Sequence, residues 1–143
     1  MIYPWLVVTH LLAAIAFIGT LFFEVCIWHT ARRQLASDAQ VAADQAIAVR
    51  SRKVLHGVVL LLYGAGIGLA WQHRGVLSQP LGSSFASLLS LKIVLALSII
   101  GHYLLLAYWL RTARLSACWI RRSVLGHMLL IVVLAKAMFY WHG

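Results

Sequence analysis

Residues 91–103 read LKIVLALSIIGHY. They lie inside a run from 85 to 110 that is otherwise apolar and long enough to cross a bilayer. A lysine and a histidine in hydrocarbon are costly unless they find partners. Those partners have to come from the rest of the chain.

Four apolar runs punctuate the sequence, at 2–28, 54–71, 85–110 and 124–141. Each holds about 18–27 residues, and roughly 20 helical residues span the hydrocarbon core. Of the 143 residues, 63% are hydrophobic and 10% charged, too little charge for a water-soluble domain. The expectation is all-α: a single integral membrane domain, 1–143, built as a bundle of four transmembrane helices. The helices are expected at about 2–35, 38–72, 84–114 and 117–141. The first run has no basic stretch ahead of it and no A-x-A site behind it, so it reads as a retained helix.

The formal net charge is +9, and its placement is informative. Arg32, Arg33, Arg50, Arg52 and Lys53 separate the first two runs; Arg111, Arg114, Arg121 and Arg122 separate the last two. Only Arg74 lies between the second and third. By the positive-inside rule the first and third connections are cytoplasmic and both termini lie outside. This describes a multi-pass protein of a bacterial inner membrane with periplasmic N and C termini. The basic residues are then orientation signals and contacts to anionic lipid, with no nucleic-acid partner. Cys26 and Cys118 form no CxxC or CxxCH motif and read as small buried residues.

The Ala-rich segment ahead of the second run, SDAQVAADQAIAVRSRK, favours helix. Ser37 and Gln40 have the spacing of a capping box, so the second helix is expected to start near Asp38 and continue to about Trp71. Ser116 is a candidate N-cap for the fourth.

An internal repeat relates the two halves. HLLAAIAFIGTLFFEVCIWHTAR at 10–32 aligns with KIVLALSIIGHYLLLAYWLRTAR at 92–114. Ala14 meets Ala96, Ile18 meets Ile100, Gly19 meets Gly101, and Thr-Ala-Arg closes both. The following helices open alike, with RKVLHG at 52–57 and RSVLGH at 122–127. Two parallel helical hairpins related by a pseudo-twofold axis along the membrane normal would explain this.

The repeat sets His10 against Lys92 and brings His56 and His127 to nearly equivalent places. Helical rise places His10 and Lys92 about 10 Å inside the outer surface. Glu24 and His102 fall roughly 12–14 Å, and His56 and His127 about 5–8 Å, from the cytoplasmic side. Fourteen residues separate His10 from Glu24, which puts both, with Phe17 between them, on one face of the first helix. Lys136 is nine residues after His127, on the opposite face near the outer end with Phe139, Tyr140 and Trp141 just beyond, and reads as snorkelling. Lys92 lies too deep to snorkel and needs a carboxylate, a ligand anion or the loss of its proton. The bland alternative for each histidine is a hydrogen bond that ties two helices together.

Histidines at defined depths in a helical bundle suit b-type haem, whose iron takes imidazole as an axial ligand. Gly57, Gly64, Gly66, Gly68, Ser98 and Gly101 would let a flat macrocycle approach a backbone, or alternatively pack helices closely. WLVVTHLLAAIAFIGTLFF at 5–23 resembles the first helix of HemJ-type protoporphyrinogen oxidases and of related CopD-like membrane domains. LSLKIVLALSIIGHY at 89–103 resembles the lysine-bearing third helix of that superfamily. The resemblance covers most of the chain and implies a four-helix membrane bundle that binds haem b. It implies His10 and Lys92 as the functional pair, with His102 following. Where HemJ-type enzymes carry Leu-Pro-Arg after the first-helix glycine, this chain reads TLFFEVCIW.

The expected function is a haem-b membrane protein in electron transfer, or in oxidation of a porphyrinogen-like or quinol substrate. A quinone or a redox protein would be its partner. Lys92 and Glu24 are the candidate catalytic residues; His10, His56, His102 and His127 are the candidate haem and metal ligands. The CopD-like resemblance implies copper transport or tolerance as the alternative, although soft copper sites use Met or Cys ladders that this chain lacks. A second alternative is a non-catalytic structural or assembly subunit. The apolar exterior leaves room for a homodimer.

Overall fold

The computed structural model describes residues 2–110 and 117–140. Among them every long element is helical: α1 Tyr3–Phe22, α2 His29–Ala31, α3 Ser37–Gln72, α4 Arg74–Leu77, α5 Ser84–Leu110 and α6 Ala117–Tyr140. A π-helical turn, Phe23–Trp28, joins α1 to α2, and a 3-10 turn, Arg32–Gln34, follows. Three helical stretches among the described residues are long and apolar enough to cross a membrane: Tyr3–Gln34, Ser37–Gln72 and Ser84–His102. The chain divides into two compact units, Met1–Gln72 and His73–Gly143. One half of the sequence repeat falls in each.

The first unit is an antiparallel hairpin of α1 on α3. Proline at the first turn suits the start of α1, where the missing N–H has no helical partner to lose. Its packed stripe is Ala13, Phe17, Leu21 and Glu24, with Phe17 only 1% exposed. The α3 side answers with Leu62 and Ala65, both buried, and with Ser51, Leu55 and Val58 half-buried one to three turns before them. At 36 residues α3 is about 54 Å long, well beyond a hydrocarbon core of roughly 30 Å. Its start differs from the capping box expected from sequence. Gln40 N–H donates to Ala36 O, which makes Ala36 the N-cap, and the Ser37 hydroxyl bonds Asp38 instead.

The π turn decides what α1 presents below Leu21. The His29 N–H reaches back to Glu24 O, five residues earlier. Thr20 Oγ1 donates to Ala16 O at 2.8 Å just before it, a back-bond that bends helices. In a regular α-helix, residues spaced by four drift about 40° per step around the axis. The wider π turn cancels part of that drift, so Glu24, Trp28 and Arg32 all stay on the α3 side. Trp28 Nε1 donates to Asp44 Oδ1 at 2.8 Å, and Arg32 Nη1 to Asp44 Oδ2 at 2.6 Å. Cys26 points outward and is exposed, a correction to the buried cysteine expected from composition.

The second unit is the α5–α6 hairpin, also antiparallel. Ser83 caps α5 by accepting from Ala86 N–H at 3.1 Å. Ala86, Ile99, Val124, Leu125 and Met128 are its buried apolar residues. Ser116 lies outside the described residues. At the far end of α6, exposed Lys136 places Nζ 5.2 Å from the Tyr140 ring centre.

Candidate functional site

His10 sits half-buried on the α3 side of α1, where Nδ1 lies 2.9 Å from Leu62 O. Gly66 makes room for the ring: a Cβ there would stand 3.2 Å from His10 Cε1. Of the glycines expected to admit a neighbour, Gly66 and Gly68 do so, against His10 and Leu6, while Gly57, Gly64 and Gly101 meet nothing within 4 Å.

In the second unit two histidines meet. The rings of His102 on α5 and His127 on α6 are 4.9 Å apart, edge to face at 62°. Nδ1 of His102 is 2.8 Å from Ser98 O, and Nδ1 of His127 is 2.8 Å from Ser123 O, each four residues back on its own helix. Their other nitrogens reach across. Nε2 of His102 is 3.2 Å from Ser123 Oγ, and Nε2 of His127 is 3.4 Å from Ser98 Oγ.

The direction of these bonds follows from the acceptors. A carbonyl oxygen only accepts, so each Nδ1 carries a proton, and in the neutral ring Nε2 then holds the lone pair. The same logic applies to His10 against Leu62 O. In their neutral form the three half-buried histidines therefore share one tautomer, held by a backbone carbonyl. That is the form in which imidazole ligates a metal.

The other candidates are placed differently. His56 is exposed on α3. In the repeat it aligns with Gly126, one residue from His127, and one helical residue is about 100° of rotation. Glu24 is 7% exposed, the only buried charged residue among those described, and it lies in the π turn, an irregularity frequent at functional sites. Lys92 is half-buried on α5 and makes no ion pair among the described residues.

Sequence reading missed the two serines and Asp44. The signal for the serines was present, since Ser-x-x-x-His occurs at 98–102 and again at 123–127. Asp44 carries no such pattern.

As donors the three histidines suit haem iron. As the two trans ligands of one iron, His102 and His127 do not fit as they stand. Imidazoles on opposite sides of a metal, at about 2 Å each, have ring centres roughly 6 Å apart in line, with the macrocycle between them. The observed pair is closer and edge-on. No cluster of three or more His, Cys, Asp or Glu converges among the described residues, so these offer no multidentate copper cage. Compared with family models, with curated proteins and with solved structures, the chain finds no match in any of the three.

Proposed function

We propose that this chain is a four-helix membrane protein that holds b-type haem through histidine. It would serve electron transfer or the oxidation of a porphyrinogen-like or quinol substrate in a bacterial inner membrane, with both termini outside. In this reading α6 is the fourth span, and the two hairpins pack as a pseudo-twofold pair. The observation that carries the reading is the common tautomer of His10, His102 and His127. Each is held by Nδ1 on a backbone carbonyl, which in the neutral ring leaves Nε2 as the nitrogen that would reach iron. His56, exposed on α3, lacks such an anchor among the described bonds and is the remaining candidate.

Bound haem supplies one-electron chemistry at iron. The chain does the rest. One of His102 and His127, and separately His10, would hold the group through an imidazole nitrogen. Lys92 offers an ammonium to a propionate or a substrate carboxylate, which offsets its own desolvation. Glu24, enclosed by the packed stripe of α1, holds or passes a proton at its carboxyl oxygens.

The test is optical. Protein purified in detergent and supplemented with haem should show a Soret band that weakens in His10→Leu or in His102→Leu/His127→Leu. Lys92→Met should keep the band and shift the potential or abolish turnover. A wild-type sample without a Soret band sinks the reading, and the structural role of the histidines as helix ties then replaces it.

A further inference from the structure

The four polar groups at the α5–α6 contact close into a ring. Ser98 Oγ meets His127 Nε2, His127 Nδ1 meets Ser123 O, Ser123 Oγ meets His102 Nε2, and His102 Nδ1 returns to Ser98 O. The backbone carbonyls only accept, so both Nδ1 atoms donate. In the neutral rings both Nε2 atoms then accept, and both serine hydroxyls donate. Each serine spends its single hydrogen on the histidine of the opposite helix.

We infer that Ser98 and Ser123 are positioning residues that control, crosswise, the access of a metal to the ring nitrogens: Ser123 caps Nε2 of His102, and Ser98 caps Nε2 of His127. A metal centre reaching either Nε2 has to displace one hydroxyl. That hydroxyl is not stranded in hydrocarbon. A helical serine can turn back and bond the carbonyl four residues before it. Loading one histidine therefore opens half of the ring and leaves the other half intact.

The two caps differ. The bond to His102 is 3.2 Å and the bond to His127 is 3.4 Å, at the weak end of the range. This inference rests on the reading that these histidines ligate iron, and its test separates the two.

Protein labelled with 15N-histidine is first followed by NMR in detergent without haem. Both histidines should give the neutral tautomer with the proton on Nδ1. Ser123→Ala should move the Nε2 signal of His102 alone, Ser98→Ala that of His127 alone, and Ser→Thr at either place should restore it. Hemin titration follows in backgrounds with one histidine left. Ser123→Ala in His127→Leu should tighten binding about three- to tenfold, the worth of one net hydrogen bond. Ser98→Ala in His102→Leu should tighten it less. Signals that move on the same helix as the serine, or not at all, overturn the inference. Crosswise shifts in a protein that takes up no hemin support the capping and overturn the haem reading instead.

Discussion

His102 and His127 stand edge to face at 4.9 Å across α5 and α6, each anchored by its own helix and capped by the serine of the other. The pair joins two antiparallel helices through polar groups alone, inside apolar surroundings that include Ile99, Val124 and Met128. Removing one member orphans its own cap, the serine on the opposite helix, and exposes an edge of the remaining ring.

A double-mutant cycle tests that coupling. His102→Leu and His127→Leu should each destabilise the hairpin by about 1–3 kcal/mol, because a serine hydroxyl and a ring edge lose partners in hydrocarbon. The double variant should cost less than the sum, since it leaves fewer unpaired groups. Reversible unfolding in mixed detergent micelles reads the three values. Strict additivity would show that the two rings act independently.

Asp44 joins α3 to Trp28 and Arg32 at once. The ion pair is about a third exposed on both sides, so by itself it is worth only about 0.2–1 kcal/mol. Asp44→Asn keeps an acceptor for Trp28 and should cost little. Asp44→Ala removes both bonds and should cost about 1–2 kcal/mol. Amide exchange across residues 28–45 should rise more in the alanine variant than in the asparagine variant.

Gly66 and Gly64 should respond oppositely to alanine. A methyl at Gly66 falls 3.2 Å from His10 Cε1, so the imidazole, fixed by its bond to Leu62 O, has to give by a few tenths of an ångström. At Gly64 nothing lies within 4 Å, and alanine is the better helix former. Gly66→Ala should lower the unfolding midpoint and weaken any ligand held by His10. Gly64→Ala should leave the midpoint unchanged or raise it. Equal effects would mean that the contact between His10 and Gly66 carries no energy.

Orientation is tested by fusions. By the positive-inside rule the connections that carry Arg50, Arg52 and Lys53 and, later, Arg121 and Arg122 are expected in the cytoplasm, so a C-terminal alkaline phosphatase should be active and a C-terminal GFP dark. The reverse pattern would invert every depth assigned to the histidines.

The apolar runs were enough to predict helices of membrane length, because a chain in hydrocarbon has to satisfy its backbone locally. Spacing was also enough to put His10, Phe17 and Glu24 on one side of α1, since phase along a helix is a property of that helix alone.

What lies between helices was not legible. The repeat brought His56 and His127 almost together, yet one residue of offset turns them about 100° apart, and packing exposes one while enclosing the other. His102 meets His127, and Asp44 takes both Trp28 and Arg32. Each depends on the rotation and axial register of one helix against another. Those are set by the summed packing of many side chains across the contact, which no stretch of one helix encodes by itself. The sequence by itself therefore determined which segments are helical and which face of each carries its polar groups. The tertiary structure alone decided which of those groups meet.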